Sequence, residues 1–334
     1  MIKKYLVYGV RLESNVAFPE FTPGAFEQRD MTLQREDWAA GGLGDLPGAS
    51  VKIESYYHRP TGGAGTFHYY TSPTHFVARW HELCDFQVSQ DGSQINCYPW
   101  AGAHWSDIKP FLLGRIIPLA LNLRQVLTFH GGGVLSPQGT VGLIARSGMG
   151  KSTMVSSLAC SGWPLITDDV LAVREEAEGF SALAGPSVVR LTPEALGHLH
   201  SQYSLSATPR PDYDKSSIHL REGGLSAAAQ PLLAIYFLRR VASRPVEGVT
   251  IHHVTPKEAL PLLTKYISNR KFLELPHITQ YFGALTRLVS RVPVKILEYP
   301  SGLEDLPGVC QRLRDDCRLQ EETALPGSRV YRSL

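Results

Sequence analysis

Residues 140–158, TVGLIARSGMGKSTMVSSL, join an apolar run, a glycine-bearing loop and a Lys-Ser-Thr triplet at the head of a helix-like pattern. A strand that breaks into such a loop and then into a helix aims several backbone N–H groups into one concavity. The helix N-terminus adds partial positive charge there. Gly148 and Gly150 let the backbone approach ligand oxygens where a Cβ would collide. Lys151 can reach the outer phosphates of a bound nucleotide, and Ser152 can offer its hydroxyl to Mg2+. Ser147, Met149 and Thr153 complete the stretch expected to touch phosphate. The spacing follows GxxxxGK[ST], with Ala145 at the first glycine position. The chemistry indicated is binding of ATP with Mg2+, although no segment reads the base and GTP stays open.

Two further groups fall near this loop. If Pro137 and Gln138 form a two-residue hairpin loop, Ser136 faces Gly139 and His130 lies opposite Ala145. Gly131, Gly132 and Gly133 could bulge the strand and slip that register by one. Asp168 and Asp169 close the apolar stretch WPLIT. Neighbouring side chains on a strand point to opposite faces, so both acids meet one metal only if the chain turns there. Open α/β sheets bind ligands beyond the carboxyl ends of their strands, where this pair falls. One carboxylate can coordinate Mg2+ and the other can accept a hydroxyl proton.

The elements that must position these residues alternate. DIKPFLLGRIIPLALNLRQ has helical periodicity, with Pro118 expected to kink it. VLTFHGGGVL and TVGLIA read as strands, 151–160 as a helix closed by Gly162, and PLLAIYFLRRV and VPVKILEYP as later strands. Helical segments fall within 256–290 and near 303–319, so this half reads as α/β. Residues 1–108 read instead as short strands such as YLVYGVRL, VKIESYYH, GTFHYYT and HFVARWHE, with Trp80, Trp100 and Trp105 as core aromatics. A chain of 334 residues exceeds one comfortable core, so two domains are expected, 1–108 and 109–334.

Composition excludes more than it identifies. With 43% hydrophobic and 19% charged residues the chain is ordinary globular material. A net charge of +2 without a basic block gives no footprint for nucleic acid. Five scattered cysteines without a CxxC pair fit reduced thiols. No apolar run is long enough for a membrane span, and the start is not a signal peptide, so a cytoplasmic location is expected. His198 with His200, and His252 with His253, lack a third ligand at metal spacing and read as surface. LRDDCRLQEE reads as a solvated helix face.

The combination LTFHGGGVL, ARSGMGKST and LITDDV resembles the catalytic domain of bacterial HPr kinase/phosphorylase. IIPLALNLRQVLTFHG upstream, and PLLAIYFLRR, VTPKEALPLL and VPVKILEYPSGLEDLP downstream, look like the branch that includes lasso-peptide precursor kinases. The likeness runs over residues 109–310. It implies an α/β P-loop kinase domain of HPr kinase type behind a smaller β-rich domain that recognises the substrate. It places the phosphate loop on 145–152, with Lys151 and Ser152 as phosphate and metal contacts. It makes His130 the catalytic histidine, Asp168 the base toward a serine hydroxyl and Asp169 a metal ligand. The acceptor it implies is a precursor peptide, phosphorylated near its C-terminus, and homo-oligomers occur among such relatives.

Two departures accompany the likeness. No RPGRN-like segment is present, which speaks against phosphorolysis. The E-x-R-G-x-G signature is also absent, and GPSVVRLTPEAL in its place leaves Arg190 as a phosphate contact. The polar segment DYDKSSIHLREGGLS, 212–226, suits a mobile flap, with Lys215 and Arg221 as further phosphate contacts. A small-molecule alcohol kinase and a non-catalytic nucleotide-binding or ATPase switch module remain as alternatives.

Overall fold

A computed structural model of the chain describes residues 1–36, 43, 50–58, 64–202, 207–208, 216–219, 229–241, 248–272 and 275–323. The proposed flap cations Lys215 and Arg221 lie outside the described residues. The first region holds strands β1 (Lys3–Val7), β2 (Val10–Ser14), β3 (Thr22–Pro23), β4 (Met31–Arg35), β5 (Ser50–His58), β6 (Ala64–Thr71), β7 (His75–Trp80), β8 (Cys84–Ser89) and β9 (Gln94–Pro99). They form one sheet in the order β3-β1-β2-β4-β9-β8-β7-β6-β5. β1 and β2 are joined by Tyr8 and Gly9, at φ 51° and 67°. Positive φ at both central residues marks a turn whose twist matches the flanking strands.

Next come α1 (Trp105–Phe111), a π-helical turn (Leu112–Ile116) and α2 (Ile117–Leu123). The break expected at Pro118 is realised as this π turn, immediately before the proline. Pro118 has no N–H and its ring would strike the carbonyl four residues back. Widening the preceding turn, with the Ile117 amide bonded to the Leu112 carbonyl, relieves that clash.

The second region follows with β10 (Leu127–Ser136), β11 (Gly139–Ile144), α3 (Lys151–Cys160), β12 (Leu165–Thr167), β13 (Val170–Glu176), β14 (Gly179–Leu183), β15 (Val188–Leu191), α4 (Pro193–Gln202), β16 (Ala207–Thr208), β17 (Ser216–His219), β18 (Gln230–Val241), β19 (Thr250–Val254), α5 (Pro256–Lys265), α6 (Leu275–Arg291), β20 (Val294–Pro300) and α7 (Leu306–Thr323). The main sheet runs β11-β10-β13-β14-β18-β20-β19, with β12 also on β10 and β11 also parallel to β18. β15, β17 and β16 form a small separate sheet. The chain is therefore α/β behind a β-rich first region. α3 stops as expected, with Gly162 at φ 101° just past its last turn.

Alternation along the central strands divides the core. Val141 and Leu143 of β11 and Ala234 and Tyr236 of β18 face one cluster with α3, α4 and α7. Ile144, Ile235 and Phe237 face another with α1, α2, α5 and α6. The latter cluster also contains Leu12, Leu33, Tyr69, Trp80 and Phe86 of the first sheet, so the two regions share one apolar interior. Trp100 and Trp105 are only partly buried.

A buried polar knot fixes β10 from below. Asn122 donates to the Ser268 carbonyl at 2.8 Å and accepts from Thr128 at 2.6 Å. The Tyr281 hydroxyl joins it at 3.1 Å.

Candidate functional site

The β10–β11 hairpin keeps its expected register, with Ser136 paired to Gly139 and Gly131 to Ile144. The glycines do not slip that pairing; the irregularity falls instead on the β10–β12 side, between Gly133 and Val134. Gly132 lies under α3, where an added Cβ would come within 2.8 Å of a Val155 methyl. His130 is thereby held one residue beyond the last hairpin pair, next to the glycine loop, and its amide bonds to the Tyr266 carbonyl at 2.8 Å.

α3 begins directly from Gly150, whose φ of 82° sends the loop into the helix. Lys151 at its first position is buried, 7% exposed. Its Nζ stands 3.9 Å from Asp168 Oδ1, and the Ser152 hydroxyl donates to that same oxygen at 3.1 Å. The departure from strand alternation that both acids require is present: Asp169 sits at φ 72°, a local kink between β12 and β13, which both pair antiparallel to β10 and so keep one direction. Asp168 consequently faces the loop lysine and serine. Asp169 faces His130, whose Nδ1 lies 3.3 Å from Oδ1, and Arg190, whose Nη2 donates to Oδ2 at 2.6 Å. The wide π turn is packed here too, since a Cβ on Gly114 would lie 3.3 Å from Asp169 Oδ2.

The electrostatics follow from these contacts. Burial would raise the Asp169 carboxyl, but the His130 hydrogen bond and the charges of Arg190, Lys151 and His130 outweigh it and hold the group far below the ordinary carboxylate range. His130 Nδ1 also lies 3.2 Å from the Asp169 carbonyl. Both neighbours are acceptors, so Nδ1 carries the ring proton and Nε2 is left to face elsewhere. Behind the acids, Tyr8 from the β1–β2 turn is buried against Gly185 and Thr167, and a Cβ on Gly185 would meet the Tyr8 ring at 2.6 Å.

These groups border one cavity of about 560 Å³. His130, Ser147, Gly148, Gly150, Lys151, Ser152, Thr153, Asp168, Asp169 and Arg190 all line it. Met149 does not; its side chain packs on the α3-side core, and its carbonyl accepts from the Tyr299 hydroxyl at 2.6 Å. Arg146, Glu194, Arg240 and Glu304 line the cavity as well and were not foreseen. Arg146 stands inside the glycine loop and Glu194 just after Arg190, so both were within reach of a local reading. Arg240 and Glu304 carry no local signal. Parallel pairing of β11 with β18, and of β18 with β20, brings their strand ends to the loop.

The oxygen donors suit Mg2+, a hard cation usually held by one or two carboxylates together with substrate phosphates. Among the described residues no group of three or more His, Cys, Asp or Glu forms a closed metal cage. A cation shared with a phosphate chain needs none. Ser152 and Asp169 would hold it. His198, His200, His252 and His253 do not form such a group either. No helix among the described residues is long and apolar enough to cross a membrane.

No family model matches the chain, and no curated protein does. Among solved structures, the Hpr(Ser) kinase/phosphatase from Coxiella burnetii aligns over 58% of this chain and 92% of that one, at 14% identity and a TM-score of 0.35.

Proposed function

We propose that this chain is an ATP-dependent phosphotransferase that passes the γ-phosphoryl group to a serine hydroxyl of a peptide. The observation that carries this reading is the convergence of Lys151, Ser152, Asp168, Asp169, His130 and Arg190 on one cavity at the head of α3. A cradle for phosphate, two acids that can share a cation and a proton, and a histidine and an arginine beside them are the parts that in-line phosphoryl transfer requires. The peptide acceptor, with the C-terminal part of a lasso-peptide precursor as its specific form, rests on the sequence resemblance.

In this mechanism the loop amides and Lys151 hold the β- and γ-phosphates. Mg2+, when bound, neutralises charge on the phosphates. Asp169, kept ionised between His130 and Arg190, is a weak proton acceptor and suits the cation. Asp168 then takes the proton from the attacking hydroxyl. Arg190, hydrogen-bonded to Asp169, borders the same cavity and stabilises charge that develops on the transferring group.

Transfer of label from γ-labelled ATP tests the reading against candidate peptides, free serine and sugars. Asp168→Asn should lower transfer by 10²-fold or more while ATP affinity changes little. Asp169→Asn should weaken the Mg2+ dependence instead. Label confined to small alcohols would remove the peptide, and phosphate release that ignores every acceptor would leave only an ATPase switch.

A further inference from the structure

The cavity extends past the groups that serve the transferring phosphoryl, to Arg240 and the turn Ser301–Glu304 at the end of β20. The motif YPSGLEDLP that contains this turn has no role in the chemistry above. A small adjoining space of about 20 Å³ is bordered by Gly150, Thr153, Arg240, Tyr299, Gly302 and Leu303, and by none of His130, Asp168, Asp169 or Arg190. This wall therefore also borders space that the acids do not line.

The turn is also tied to the loop. Tyr299 donates to the Met149 carbonyl at 2.6 Å, and Arg240 donates to the Ser301 carbonyl at 2.9 Å and the Gly148 carbonyl at 3.4 Å. Arg240 Nε is buried and has no partner among the described residues.

A nucleotide in a loop of this type presents its outer phosphates to the lysine and the acids, so its nucleoside leaves on the opposite side. Arg190 and the start of α4 belong to the acid side, because Arg190 grips Asp169. Arg240 and 301–304 are what remains for the nucleoside. Glu304 is an exposed residue on the lining of this cavity. It folds back over Gly302, where an added Cβ would lie 2.3 Å from its Oε1. An acceptor-only group on this wall suits hydrogen-bond donors, and the donors next to the α-phosphate of a nucleotide are the ribose hydroxyls.

We propose that this turn is the ribose subsite, with Glu304 accepting from the 2′- and 3′-hydroxyls and Arg240 facing the α-phosphate. The assignment rests on the nucleotide-binding reading above.

The test is direct binding to the full chain with Mg2+, comparing ATP, 2′,3′-dideoxy-ATP and GTP. The wild-type protein should hold ATP about tenfold more tightly than the dideoxy analogue, as hydrogen bonds to a charged group warrant. Glu304→Gln should narrow that ratio to about twofold while leaving the dideoxy affinity unchanged. Gly302→Ala, which displaces the carboxylate without removing it, should do the same. An unchanged ratio in both variants overturns the assignment. So does a shift in the ATP-to-GTP ratio with the diol preference intact, which would make Glu304 a reader of the base. If the wild-type chain binds none of the three, the nucleotide reading itself fails.

Discussion

At the scale of single residues, Asp168 and Asp169 are chemically alike yet sit in opposed surroundings. Asp168 is buried among a lysine and a serine, whereas Asp169 is gripped by Arg190 and His130. The backbone kink at Asp169 causes the difference, and the sequence could state only that strand alternation had to break there. Strand alternation and the two-residue loop made His130 legible, because register propagates from a turn along a hairpin. Arg240 and Glu304 were not legible, since their approach depends on two parallel crossovers. Depression of the Asp169 carboxyl has a pH consequence. A group whose pKa is lowered by folding stabilises the native state above its unfolded value, about 3.9, and that stability is lost as pH falls toward the folded value. Arg190→Gln removes one source of the depression. The variant should therefore be less stable than wild type near neutrality, and the gap should close as pH drops below about 4. Urea unfolding at several pH values measures it; a gap that widens in acid would contradict the role given to Arg190.

At the scale of elements, α7 is fastened to the central strands by charge inside an apolar layer. Lys295 of β20, 1% exposed, donates to Asp316 of α7 at 2.6 Å, and Tyr236 of β18 donates to the same oxygen at 2.6 Å. Burial works against the Asp316 anion, but the hydrogen bonds from Lys295 and Tyr236 more than offset it and lower its pKa. Periodicity marked α7 and read its charges as a solvated face. That holds for much of the face and fails at Asp316, because a polar residue bonded to a partner 21 positions away leaves no trace in the helix's own pattern. The π turn was likewise missed in form though not in place: a proline signals a break, but not how the chain makes room for it. Lys295→Met should cost about 3–5 kcal/mol, the usual penalty for stranding one half of a buried pair. The double change Lys295→Met with Asp316→Leu should recover most of that loss, as apolar replacements of whole pairs do. Denaturant midpoints of the two variants decide it; equal losses in both would mean the helix is held by packing alone.

For the whole molecule the question is whether the β-rich first region is a separate domain or part of one folding unit. Composition divides the chain near residue 108, but the interior does not follow that division. Tyr69 of β6 is fully buried and stacks on Phe272 at 4.5 Å, across the two regions. Lys109 pairs with buried Glu20 at 2.8 Å, and the Ser187 amide bonds to the Glu20 carbonyl at 3.0 Å. Tyr8 hydrogen-bonds with Thr167, one residue before Asp168, and burial pushes its phenol well above the ordinary value. The first hairpin thus supports the very turn that aims the acids. Such sharing predicts a single unfolding transition. Tyr69→Ala should cost about 3–5 kcal/mol, as for other large aromatic truncations in a core. Because the interior is common, amides of α3 should lose hydrogen-exchange protection by the same amount as amides of β6, although α3 is remote from the substitution in the chain. If α3 instead keeps its wild-type protection while the first sheet opens, the two regions are independent and the support of the acids by Tyr8 is dispensable.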